Sequence, residues 1–155
     1  MTKHHLSMAA VLVVGILGGT ALAQSNDPLI GSWKLNPAKS KGMKGGTTKI
    51  EAVGEGVKFS SDLVAAADDK PRHSEFSGKY DGKDNPVTGD NPYGNTVALT
   101  RIDAKTTRLT FKQDGKATAN VTIVLSADGK TRTSTAKGKD AKGQPVDTVS
   151  FYEKQ

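Results

Sequence analysis

A chain of 155 residues with no cysteine, three histidines and a formal net charge of +6 has few chemistries open to it. Without cysteine there is no disulfide framework, no thiolate metal site and no thiol nucleophile. The positive charge comes from lysines scattered among threonines and acids, which reads as a solvated surface. No arginine run interleaved with aromatics points to nucleic acid.

The first segment reads as an address rather than as part of the fold. Lys3, His4 and His5 form a positive n-region, MAAVLVVGIL supplies an apolar core, and GGTALA ends on small residues at Ala21 and Ala23. This is the pattern of a secretory signal peptide cleaved after Ala23, so residues 1–23 are expected to be removed. The apolar run is shorter than the roughly 20 residues a membrane span needs, and no stable membrane anchor is expected. No cysteine follows it to carry a lipid. Cleavage leaves 132 residues, 24–155, with a net charge of +5 because Lys3 departs with the leader. That is the size of one domain, with room for a single core without staples. The expected location is periplasmic or secreted.

After residue 28 the chain is a series of short alternating runs. They predict strands over 29–36, 47–53, 57–66, 72–80, 96–103, 107–113, 116–126, 131–137 and 146–153, about nine strands in all. Gly54-Glu55-Gly56, Asp114-Gly115 and Asp128-Gly129 separate several of them. Asp-Gly between alternating runs is a strong hairpin signal, since both turn residues accept positive φ. Regular strand spacing of about eight to twelve residues reads as a sandwich or barrel made of hairpins. No segment carries a helical apolar period, so the domain is expected to be all-β.

Alternation also assigns faces. Gly31, Trp33 and Leu35 share one; Val57, Phe59, Ser61 and Leu63 another; then come Phe76, Gly78 and Tyr80, and Thr107, Leu109 and Phe111. Along 131–137, either Arg132 and Ser134 or Thr131, Thr133 and Thr135 must face inward. A closed barrel with a partly polar, partly hollow interior takes such residues more readily than a dry sandwich. One connection differs from the rest. DGKDNPVTGDNPYGN, residues 81–95, shows no alternation and is too long for a hairpin loop. It is expected to be an ordered flap at one mouth of the barrel, or a spacer that crosses the barrel end.

Gly31-Ser32-Trp33 on the first run resembles the G-x-W signature of lipocalins and the wider calycin barrels. IGSWKL and VSFYEK resemble the two ends of fatty-acid-binding proteins. KYDGKDNPVTG and NTVALTRIDAKT resemble a family of small secreted bacterial lipocalin-like proteins with no established activity, a likeness that covers most of the mature chain. The resemblance implies a single antiparallel up-and-down β-barrel. It also implies that Gly31, Trp33 and Lys154 form a plug, the indole closing the barrel base beneath a basic side chain of the last strand. There are departures. NPAKSKGMKGG is too short and glycine-rich for the two portal helices of fatty-acid-binding proteins, and Ser150 stands where their last strand carries the arginine of an Arg-x-Tyr pair.

The remaining chemistry is sparse. His73 is the one histidine of the mature chain, and it alternates with Phe76 and Tyr80 so as to face solvent. Asp68-Asp69 and the set Asp81, Asp84 and Asp90 read as turn residues whose carboxylates bond nearby amides. No metal site, cofactor or catalytic group is expected. An inward Arg101 or Arg132 would need an anionic partner, either an internal carboxylate or an acidic ligand. The expected function is therefore an exported, monomeric barrel that carries or sequesters a small, mostly apolar or amphipathic molecule. Phe59, Phe76, Tyr80, Leu99 and Phe111 would line its cavity, with Arg101 and Tyr152 supplying polar contacts. The competing expectation is a barrel filled by its own side chains that acts through its loops as an envelope interaction or stress module.

Overall fold

Each alternating run of the sequence pairs with the next, and the last returns to the first. The computed structural model describes residues 26–155; the signal peptide expected over residues 1–23, and its expected cleavage site, lie outside the described residues. The strands are β1 Gly31–Leu35, β2 Met43–Val53, β3 Gly56–Ala65, β4 Pro71–Gly78 and β5 Asp81–Gly89, followed by β6 Thr96–Arg101, β7 Thr106–Gln113, β8 Lys116–Leu125, β9 Thr131–Lys139 and β10 Pro145–Lys154. A 3-10 turn, Pro37–Lys39, follows β1. All pairings are antiparallel between chain neighbours. β1 closes the ring by pairing with β10 through Trp33↔Lys154 and Leu35↔Tyr152, and with β2 through Gly31↔Ile50 to Lys34↔Thr47. The protein is thus an all-β, single, closed up-and-down barrel, and closure leaves no unpaired sheet edge.

The strand count corrects the sequence reading from about nine to ten, and the extra strand lies within the 81–95 segment. β5 has no alternation to announce it, because Gly82, Pro86 and Gly89 interrupt its side-chain pattern. Backbone pairing holds it instead. It joins β4 only from Ser74↔Gly89 to Phe76↔Val87, and its register with β6 shifts between Asp81 and Asp84. A proline is tolerated in such a bulged, sparsely paired strand, where its missing N–H leaves no ladder partner stranded. Only residues 90–95 remain as a loop.

Topology gives the barrel two unlike ends. The start of β1, the end of β10 and the β2–β3, β4–β5, β6–β7 and β8–β9 turns gather at one end. Leu29, Trp33, Ile50, Val57, Leu99 and Leu125 are buried there. The 3-10 turn and the β3–β4, β5–β6, β7–β8 and β9–β10 connections surround the other end, the mouth. On β9 it is Arg132, Ser134 and Ala136 that turn inward and are buried.

Candidate functional site

The upper interior of the barrel is hollow. A cavity of about 600 Å³ runs from the mouth down to Thr48, Phe59, Ile123 and Arg132. That volume falls within the range of small-molecule pockets, about 300–1,000 Å³. One wall is aromatic. Phe59 stacks on Phe76 with ring centroids 4.8 Å apart, Phe76 meets Phe111 edge-on at 5.9 Å, and Tyr93 tilts against Phe111 at 5.3 Å. The wall made by β9, β10 and β2 is polar, with Ser134, Ser150, Tyr152 and Thr48 facing the cavity, and Ser61 adjoins Phe59 on β3. The two walls together make an amphipathic lining.

Arg132 stands on the cavity floor. It is 3% exposed, and its guanidinium carbon lies 4.0 Å from the Tyr152 ring centroid and 5.3 Å from that of Trp33. Register explains the first contact, since Arg132 lies directly across from Tyr152 on β10. Its Nη1 donates to Ser134 Oγ at 3.1 Å, while its buried Nε has no hydrogen-bond partner among the described residues. Burial pulls the guanidinium down to about 10, which still leaves it a cation at neutral pH.

Beneath that floor the base is sealed by Pro28 and Leu29, just ahead of β1, as well as by Trp33. Trp33 is fully buried, and its Nε1 donates to the Leu29 carbonyl at 2.8 Å. The partner of the indole therefore comes from the residues before β1. Lys154 lies 5.1 Å from the indole centroid and donates to the Pro28 carbonyl at 3.2 Å. Gly31 makes room for that lysine: its φ is +141°, and a Cβ there would sit 2.6 Å from Lys154 Cε. Gly31, Trp33 and Lys154 thus meet at the closed end, with Leu29 inserted among them.

The residues expected to bind a ligand divide into two groups. Phe59, Phe76, Phe111 and Tyr152 line the cavity together. Tyr80, Leu99 and Arg101 do not; they lie toward the closed end. There the Asp27 carboxylate accepts from the Tyr80 hydroxyl at 2.6 Å, from Arg101 Nη2, and from the Leu29 amide at 3.0 Å. Arg101 also stacks on Tyr80, 4.1 Å from the ring centroid. Of the two partners open to an inward Arg101, the internal carboxylate is the one present. Gly78 belongs to the same end, where a Cβ would meet Asn85 at 2.6 Å and Leu99 at 3.1 Å.

Burial raises the phenol pKa of both Tyr80 and Tyr93, and the Asp27 carboxylate adds to the effect at Tyr80. A raised folded value confers stability that is fully present below the ordinary phenol pKa of 10.0 and is lost as pH rises beyond it. Absorbance titration of Tyr80→Phe and Tyr93→Phe against the wild type should show both phenols ionising only with alkaline unfolding. Reversible ionisation of either near its ordinary value in folded protein would contradict the packing described.

At the mouth, loop 90–95 reaches across to the β9–β10 connection, where the Pro92 carbonyl accepts from the Ala141 amide at 2.8 Å. Thr118 Oγ1 donates to the Tyr93 carbonyl at 2.6 Å, and the Asn91 carboxamide caps the Tyr93 amide at 2.9 Å. The loop is therefore an ordered, partial cover. Four aspartates line the cavity at this rim, and partners hold them. Arg72 pairs with Asp68 and reaches Asp90 at 3.6 Å, Lys41 binds Asp147 at 2.8 Å, and Asp140 accepts from the amides of Lys142 and Gln144. The Arg72 and Lys41 contacts hold the Asp68 and Asp147 carboxyls below the usual range.

His73 is exposed on the outer wall, 2.8 Å from Asp62 and 3.7 Å from Glu75, remote from the cavity. A second, shallower hollow of about 280 Å³ is lined by Lys58, Glu75, Ser77 and Thr88 along the sparsely paired β4–β5 seam. Sequence reasoning left Tyr93 out of the cavity because the 81–95 segment gave no face to assign. The alternation along 131–137 lets Arg132 face inward but does not by itself place it in a cavity. The signal for Arg132 was the run Arg132, Ser134, Ala136, whose members after the arginine are small enough to border a hollow. No protein-family model matches this chain, and no curated protein matches it.

Proposed function

We propose that this protein is an exported, non-enzymatic binding protein whose barrel takes up one small, mostly apolar molecule through the mouth. The observation that carries the reading is a cavity of about 600 Å³ that opens at one end beside an aromatic wall and is stopped at the other by Trp33 and Leu29. Apolar walls favour a ligand whose surface leaves water, and the hydroxyl-lined side orients any polar end it has. A pre-formed hollow supports this reading over a solid barrel that acts through its loops, because a filled barrel has no room for a guest. The signal-peptide pattern of residues 1–23 supports a periplasmic or secreted location.

Titration with the neutral fluorescent probe N-phenylnaphthylamine tests the reading, alongside native mass spectrometry for a co-purifying molecule. The wild type should take up one probe per chain, saturably. Ser61→Phe places a ring in the hollow rather than in a packed wall, so it should abolish uptake while the barrel stays folded by circular dichroism. No saturable uptake by the wild type, with no co-purifying molecule, would overturn the carrier reading in favour of a loop-based module.

A further inference from the structure

Arg101 has the Asp27 carboxylate and Arg72 has Asp68 and Asp90, but among the described residues the partners of Arg132 are the neutral Ser134, Tyr152 and Trp33. It is more deeply buried than either of those arginines. A guanidinium carries five N–H donors. Ser134 accepts from one of them, and Nε is buried with none. The π faces of Tyr152 and Trp33 soften the cost of the charge, yet a ring face accepts no strong hydrogen bond. An isolated buried cation is costly unless an anion compensates it. The rim aspartates do not supply that anion, being held at the opposite end of the cavity by Arg72, Lys41 and backbone amides.

We infer that the molecule taken up by the barrel carries a singly charged anionic head group, a carboxylate, which docks on Arg132 at the cavity floor. This rests on the cavity being a ligand site, as proposed above. One buried arginine balances one negative charge, and its planar fork matches the two oxygens of a carboxylate. Ser134 and Ser150 stand on the same wall, and their hydroxyls suit the remaining lone pairs. The apolar remainder then lies along Phe59, Phe76 and Phe111 toward the mouth. A phosphate monoester would bring a second charge that nothing on the floor neutralises.

Displacement of N-phenylnaphthylamine by dodecanoate, methyl dodecanoate and dodecyl phosphate tests this. In the wild type, dodecanoate should displace the probe at about ten-fold lower concentration than its neutral ester, the scale of one charge-assisted hydrogen-bond pair. Dodecyl phosphate should be the weaker of the two anions. Arg132→Met should lose the preference for the acid, so that dodecanoate and its methyl ester displace whatever probe the variant takes up at similar concentrations. Arg132→Lys keeps the charge without the fork and should retain a reduced preference. Should Arg132→Met fail to fold, the three wild-type titrations and the lysine variant still decide. Probe uptake with no preference for the acid would overturn the anion site and leave the carrier reading standing. A phosphate that outcompetes the carboxylate would overturn the head-group class. Absence of probe uptake altogether would remove both readings together.

Discussion

Trp33→Ala is expected to lower the unfolding free energy by about 3–5 kcal/mol, the cost of emptying a large buried aromatic site. That is a large share of the roughly 5–15 kcal/mol that holds a domain of this size together. Trp33 has no exposed surface, and three separate contacts depend on its ring. Its Nε1 satisfies the Leu29 carbonyl, and Lys154 and Arg132 both lie against its face. Truncation would orphan the carbonyl, strip both cations of a partner, and open a path for water between the closed end and the cavity above. Trp33→Phe keeps a ring in the space and loses mainly the hydrogen bond, so its cost should be nearer 1–2 kcal/mol, about that of one unsatisfied buried acceptor. Trp33 is the only tryptophan, so urea unfolding has to be followed by circular dichroism rather than by indole fluorescence. An alanine variant within about 1 kcal/mol of the wild type would be incompatible with a sealing role.

The unequal legibility of this chain has physical causes. A strand that hides one face in a core must alternate, so β3, β7 and β8 show themselves directly in VKFSSDL, TTRLTF and ATANVTIVL. β5 is held mainly by backbone bonds to β6 and by a short pairing with β4. Backbone bonding leaves no mark on side-chain order, so Asp81–Gly89 read as a loop. The aromatic wall was legible because Phe59, Phe76 and Phe111 each fall on the inward phase of a clear alternation. The fate of Arg101 was not, because its partner Asp27 lies 74 residues away, ahead of the first strand. No local pattern encodes that meeting; barrel closure produces it. Depth is hidden in the same way. Alternation puts Tyr80, Leu99 and Phe111 on inward faces alike, and only the direction of each strand decides which lie toward the base and which line the hollow.

The same closed-end pair gives the second large effect. Asp27→Ala is expected to cost about 2–4 kcal/mol, somewhat below the value for a fully buried pair because Arg101 keeps partial contact with solvent. The Asp27 side chain is 7% exposed and accepts from three groups at once, the Arg101 guanidinium, the Tyr80 hydroxyl and the Leu29 amide. Arg101 Nη1 is already buried without a partner among the described residues, so removing the carboxylate leaves a cation supported by the Tyr80 ring and the exposed Asp103 carboxylate nearby. Removing both charges should be milder than removing one. The double variant Asp27→Ala with Arg101→Met is expected to regain most of the loss, which urea denaturation of the four proteins in the cycle would measure. A double variant no more stable than Asp27→Ala would show that packing of residues 27–29, not charge compensation, sets the cost. Probe uptake separates this cluster from the cavity. Arg101 faces Asp27 and not the hollow, so folded Arg101→Met carrying Asp27→Ala should bind N-phenylnaphthylamine as the wild type does. Loss of uptake in that folded double variant would move the ligand site from the Arg132 floor to the closed end.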